Sequence, residues 1–163
     1  MCEVEPTTVM IRPGEVSDIP RLLELIQELA TFEREPHAVK ATQASMLRDG
    51  FGDNPVFGSF VAELSQQVVG MAIYYYRYST WRGRCLYLED LVVTESARGR
   101  GIGKKLFEQT VSKAKQENCQ GLFWQVLDWN QPAIDFYLQY GAQIESQWLT
   151  CYLTKQQLDA WDV

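Results

Sequence analysis

Arg98-Gly99-Arg100-Gly101-Ile102-Gly103 follows an apolar strand candidate, Leu86 to Val93, and opens an amphipathic stretch, Lys104 to Lys115. Three glycines in five positions at a strand-to-helix junction let the main chain approach a ligand closely, with free N–H groups and a helix N-terminus aimed at an anion. The spacing excludes two common nucleotide loops. A Walker loop needs glycine where Arg98 stands and Ser or Thr where Lys105 stands. A dinucleotide fingerprint read from Gly99 needs Gly or Ala at Lys104, and read from Gly101 it needs one at Leu106. An Arg-x-x-Gly-x-Gly anion loop remains.

Outward from that loop the chain alternates strand and helix signals. Met10 to Arg12 reads as a strand ended by Pro13, and Ser17 as the N-cap of a helix whose Ile19, Leu22, Leu23, Leu25, Ile26 and Leu29 recur at helical spacing. Glu33 to Ala41 reads as a loop, and Thr42 caps a short helix stopping at Gly50. Phe57 to Leu64 and Val68 to Tyr78 predict a hairpin across Ser65-Gln66-Gln67. Cys85 to Val93 reads as a strand buried on both faces. After the glycine loop come a helix to about Glu117, a strand Gly121 to Leu127, and a helix capped by Asn130 that runs to Gly141. Ala142 to Leu149 and Thr150 to Leu153 predict two last strands, and Thr154-Lys155-Gln156-Gln157 has capping-box spacing for a final helix. The order β-α-α-β-β-β-α-β-α-β predicts a mixed α/β sheet with helices packed on it, in one domain over residues 1–163.

The 163 residues carry a net charge of −6, which disfavours nucleic acid as a partner and suits a cationic small substrate. No run approaches the ~20 apolar residues of a membrane span, and Met1 to Pro13 lacks the pattern of a secretory signal. Cytoplasmic residence is therefore expected. Cys2, Cys85, Cys119 and Cys151 are scattered and His37 stands alone, so no metal site is expected. Free thiols are expected, two of them in strands and one at a helix end.

The loop, together with Tyr87-Leu88-Glu89-Asp90-Leu91, Asp49-Gly50-Phe51-Gly52, Asp128-Trp129-Asn130-Gln131-Pro132 and Phe136-Tyr137, resembles the GCN5-related N-acetyltransferases (GNAT). Within that superfamily it is similar to the polyamine and diamine branch, and Val126 to Gln131 to its thialysine-acetylating sister group. The resemblance covers about Met10 to Trp148. It implies a single-domain GNAT fold, a mixed and mostly antiparallel sheet with helices on both faces, and transfer of acetyl from acetyl-CoA to the amine of a small cation by direct attack in a ternary complex. Gly99, Arg100, Gly101, Ile102, Gly103 and Lys104, with Arg98, would hold the pyrophosphate, and Leu91, Val92 and Val93 the pantetheine arm. Asn130 would cap its helix and face the cofactor. Glu89 would remove the proton from the amine, and Tyr137 would meet the leaving thiolate. Asp90, Phe32, Glu33, Trp81, Trp124 and Trp148 would line the substrate site. Two departures, Ser79 where the polyamine enzymes carry Asp and the shortened Glu145-Ser146-Gln147-Trp148, point to a shorter amine such as a diamine, thialysine or a lysine-like amino acid. The resemblance also implies a homodimer. A protein or peptide N-acetyltransferase and a non-catalytic acyl-CoA-binding module are the alternatives; Glu89 and Tyr137 together count against the second.

Overall fold

A computed structural model describes residues 8–161. In chain order the elements are β1 (Met10–Pro13), α1 (Ile19–Phe32), α2 (Gln43–Phe51), β2 (Gly58–Leu64), β3 (Gln67–Ser79), β4 (Gly83–Val93), α3 (Ile102–Gln116), β5 (Leu122–Phe123), α4 (Gln131–Leu138) and α5 (Lys155–Asp159). The five strands form one sheet in the order β1-β2-β3-β4-β5, antiparallel except for the parallel β4–β5 pair. The described residues form two compact units. One runs to Gln125 and holds the whole sheet with α1, α2 and α3; the other begins at Val126 and holds α4 and α5.

Alternation along the strands decides which helix covers which face. Val61, Met71, Ile73 and Val92 pack with Ile19, Leu22 and Leu25 of α1 and Met46 of α2. The opposite face presents Phe60 against Tyr74, ring centroids 5.1 Å apart, with Lys113 of α3 over the Tyr74 ring. Gly70 lies on that second face because a β carbon there would sit 3.2 Å from Leu106 of α3. Helices therefore cover both faces of the sheet. Lys113, Tyr76 and Arg84 all converge on Glu117 at the end of α3, at 2.5, 2.6 and 2.8 Å, and hold its carboxyl down to about 2, Lys113 contributing most.

The start of α1 differs from its sequence expectation. A short 3₁₀ turn, Val16–Asp18, precedes it, and Asp18 rather than Ser17 organises the entry. The buried Asp18 carboxylate accepts from the Glu15 N–H (2.8 Å) and from both terminal nitrogens of Arg12 (2.7 and 3.0 Å). Arg12 also donates to Glu63 (3.0 Å), tying β1, α1 and β2 into one charge-assisted network. The β2–β3 hairpin closes through Ser65 and Gln66, both at positive φ, while Gln67 joins the ladder opposite Leu64. Thr42 caps α2 and Thr154–Gln157 form the capping box of α5.

The expected strand Gly121 to Leu127 shrinks to Leu122–Phe123, because β5 finds a ladder partner only at Leu86 and Tyr87. Ala142 to Leu149 and Thr150 to Leu153 form no strand among the described residues. Their β-prone side chains have no ladder to join, and strand preference follows pairing rather than preceding it. Of the cysteines, Cys85 is buried in β4, Cys119 half-buried past α3, and Cys151 exposed outside any strand; Cys2 lies outside the described residues.

Arg12 holds the Asp18 carboxyl below the ordinary carboxylate range against the opposing effect of burial. The stabilisation is thus present at neutral pH and is lost as pH falls through that lowered value. Asp18→Asn should cost about 2 kcal/mol at pH 7, less than for a fully buried pair because Arg12 is partly exposed. In urea unfolding, the gap from wild type should narrow as acid protonates Asp18.

Candidate active site

On its β3 side, β4 is paired through to its end, with Leu91, Val92 and Val93 opposite Ala72, Met71 and Gly70. On its other side only Leu86 and Tyr87 meet β5, where Leu86 N–H donates to the Gly121 carbonyl at 3.0 Å. From Leu88 to Val93 that outer edge carries no strand among the described residues. It is a row of main-chain donors and acceptors open to an extended ligand.

Past Val93, Thr94 N–H still bonds the Val69 carbonyl (2.8 Å), and a 3₁₀ turn, Glu95–Ala97, buries Ala97. Arg98 then folds back. Its Nε donates to the Val93 carbonyl (3.0 Å), and its guanidinium lies 5.7 Å from the Phe32 ring centroid at the end of α1. Gly99 (φ 76°) and Gly101 (φ 74°) take left-handed conformations that lead into α3. A β carbon on either would meet nothing within 4 Å, so the space before them is open. The N–H groups from Gly99 to Lys104 donate to no main-chain carbonyl among the described residues. Such a cradle fits a diphosphate. Arg100 and Lys104 are exposed at its rim, Lys104 with Glu108 at 3.7 Å.

The β3–β4 register steps from Ile73↔Asp90 to Tyr74↔Leu88 and leaves Glu89 opposite no residue, which is a β-bulge. Leu88 and Leu91 oppose Tyr74 and Ala72 on the α3 face, so the extra residue turns Glu89 and Asp90 together toward the α1–α2 face. Simple alternation would send two adjacent carboxylates to opposite faces; the bulge overrides it. The electrostatics agree. Burial, then the negative charges of Glu89 and Glu33, push the Asp90 carboxyl up to about 7. Partial burial raises Glu33, and the Glu89 charge adds to burial in raising the phenols of Tyr75 and Tyr87. The first unit thus assembles Glu33, Glu89 and Asp90 beside the end of α1, with Phe32 adjoining through Arg98.

The remaining expected site residues are described within their own units. Trp81 is exposed in the β3–β4 turn, six ladder residues or about 20 Å of strand from the Ile73–Asp90 pair. Trp124 packs edge-on against Phe107 of α3, centroids 5.4 Å apart. In the second unit, Asn130 caps α4 by accepting from Ala133 N–H (3.4 Å), Tyr137 is buried beside Phe136 (5.2 Å), and Trp148 is exposed. Burial pushes the Tyr137 phenol up to about 12. Sequence reading missed a strip of Tyr75, Tyr87, Arg77, Phe123 and Arg82 on the carboxylate face. The alternation Tyr75-x-Arg77 was its available signal, but its partner Tyr87 requires the register. Among the described residues no group of three or more His, Cys, Asp or Glu side chains is arranged to hold a metal ion, and no helix is long and apolar enough to cross a membrane.

Comparison with known proteins agrees with this architecture. The family described as Acetyltransferase (GNAT) matches residues 19–142, a stretch that includes parts of both compact units. The chain is 41% identical over 139 residues to the human spermidine/spermine N(1)-acetyltransferase-like protein 1, covering 81% of this chain but only a fifth (20%) of that protein's length. It is 41% identical over 143 residues to the thialysine N-epsilon-acetyltransferase of Bos taurus, covering 83% of this chain and 84% of that one. An aminoglycoside N-acetyltransferase solved with CoA superposes with a TM-score of 0.73 at 18% identity, over 93% of this chain and 98% of that one, and so shares the fold. The chain belongs to the acetyltransferase (GNAT) family.

Two outcomes test the site. Gly101→Ala should cost about 1 kcal/mol of stability through left-handed strain alone, since the space is open; denaturant unfolding measures it. Because Asp90 holds its proton more tightly when folded than unfolded, the folded state loses stability as pH rises from about 4 to about 7. Asp90→Asn should therefore gain thermal stability over wild type at pH 8 and show no gain at pH 4.

Proposed function

We propose that the protein is an amine N-acetyltransferase that moves acetyl from acetyl-CoA to the primary amine of a small cation, of the diamine or lysine-like class. The observation that carries this reading is the pairing, along one strand, of an open β4 edge leading into a glycine-turned helix start with two bulge-turned carboxylates on the adjoining face. The acetyl donor contributes a thioester carbonyl. Gly99 to Lys104 hold its diphosphate through main-chain N–H groups, and the free edge of Leu91, Val92 and Val93 receives the pantetheine amides.

An alkylammonium with a pKa near 10.4 leaves about one molecule in two thousand neutral at pH 7. Glu89, Asp90 and Glu33 attract the cation, and Glu89 takes its proton, directly or through water. The amine nitrogen then bonds to the acetyl carbon, the carbon–sulfur bond breaks with its electron pair leaving on sulfur as thiolate, and the nitrogen releases its remaining extra proton to water to give the neutral amide. Tyr137 is assigned beside that sulfur by family resemblance. A phenol at about 12 transferring its proton to a thiolate whose acid lies near 8.5 would be uphill by about 5 kcal/mol. Tyr137 therefore stabilises the sulfur as a neutral hydrogen-bond donor and does not protonate it outright. Asn130 and the tryptophans Trp81, Trp124 and Trp148 complete the same proposal by resemblance, as do dimerisation and cytoplasmic residence. Thialysine names the substrate of the bovine relative, and it fits the shorter acceptor suggested by Ser79.

Thiol release from acetyl-CoA with putrescine, lysine, thialysine and spermidine tests the activity. Glu89→Gln should lower kcat/KM by ~10²-fold at pH 7, with part of the rate recovered at higher pH as free amine accumulates. Tyr137→Phe should lower kcat by ~10²-fold. A full rate for Glu89→Gln at every pH refutes the base assignment.

A further inference from the structure

The face that carries Glu89 and Asp90 continues along β3 and β4 beyond the cover of α1 and α2. Met71 and Ile73 lie in the helix-covered core, whereas the next residues on that face, Tyr75 and Arg77, are half-buried and exposed. Tyr75 and Tyr87 pack ring on ring, centroids 5.0 Å apart and 30° between planes. Past them, two guanidinium groups gather on one aromatic ring: Arg77 lies 5.0 Å and Arg82 5.6 Å from the Phe123 centroid. Arg77 also lies 5.9 Å from Tyr87.

These two arginines are unlike the paired ones. Arg12, Arg21, Arg48 and Arg84 each reach a carboxylate. Arg77 and Arg82 reach none among the described residues, although the chain has 21 acidic side chains against 15 Lys and Arg. Two like charges held over one ring repel each other, and a shared anion relieves that repulsion. A guanidinium stacked on a ring keeps its planar fork free for a carboxylate. The strip therefore has a negative end at Glu89 and Asp90, a positive end at Arg77 and Arg82, and an aromatic floor between. On the ladder, Arg77 stands four residues from Ile73, the partner of Asp90, or about 13 Å of strand. Arg77 reaches back along that strip, its guanidinium 5.9 Å from the ring of Tyr87, which pairs with Tyr75, two residues from Ile73.

We propose that Arg77 and Arg82 bind the carboxylate of the acceptor, so that the substrate is a basic amino acid whose side-chain ammonium faces Glu89 and Asp90. This rests on the amine acetyltransferase reading above and narrows it. The methylenes of the substrate lie on Tyr75 and Tyr87. A diamine or polyamine would set its second ammonium against two guanidinium groups, whereas an α-carboxylate is drawn to them.

The test compares lysine with cadaverine, which is lysine without its carboxylate, in thiol-release assays at saturating acetyl-CoA. The wild type should favour lysine by at least 10-fold in kcat/KM. The exposed double variant Arg77→Gln/Arg82→Gln should lose about 10- to 100-fold in kcat/KM for lysine, mostly through KM, and should hold or gain activity on cadaverine. Wild type that turns over cadaverine as well as lysine, or a variant that loses both substrates equally, overturns this inference and leaves the amine acetyltransferase reading standing. Absence of turnover on either amine by the wild type overturns both.

Discussion

Placing Glu89 in β4 with no residue of β3 opposite it changes two things that regular pairing would have fixed. It turns an adjacent pair of carboxylates to one face, and it bends the strand and sharpens its twist. The ladder to β5 stops at Tyr87, two residues before the bulge, and the outer edge of β4 is open from Leu88 onward. The open edge and the acid cluster thus lie on the same strand, beside the same irregularity. Without the extra residue, regular alternation would send Glu89 and Asp90 to opposite faces.

The cost of burying Asp90 beside Glu89 and Glu33 is visible in its carboxyl, which is pushed up to about 7 instead of lying near 4. Burial, with the negative charges of Glu89 and Glu33 nearby, disfavours the ionised form of Asp90. A positive charge brought beside Asp90 would favour its ionised form again. Elsewhere the fold pairs its charges, as in the Arg12–Asp18–Glu63 and Lys113–Glu117–Tyr76 networks.

What the sequence made legible follows from how local each signal is. The capping residues Thr42, Asn130 and Thr154, the periodic apolar face of α1 and the glycines at 99 and 101 act within a few residues of themselves, and each stands where a local reading puts it. The bulge is invisible locally, because Tyr87-Leu88-Glu89-Asp90-Leu91 reads as an ordinary strand until β3 is laid beside it. For the same reason the orientation of Glu89 and Asp90 could not be read from spacing. The stack of Arg77 and Arg82 on Phe123 joins residues over 40 positions apart, and the α1 entry through Asp18 depends on a partner in β1. Ala142 to Leu153 has strand composition and no strand, since composition supplies a preference and not a partner.

The glycine loop and the acid cluster are joined by a short series of contacts that begins at the end of β4. The Val93 carbonyl accepts from Arg98, which fixes the first residue of the glycine loop to the strand whose edge lies open. The same guanidinium covers the ring of Phe32, the last residue of α1. Glu33 follows directly, and its charge bears on Asp90. Arg98 is therefore a structural residue. Its side chain is committed to a carbonyl and a ring, whereas the main-chain N–H groups of the loop donate to no main-chain carbonyl among the described residues. Removing the Arg98 fork would loosen the end of α1 and with it Glu33, whose charge adds to burial and Glu89 in raising Asp90.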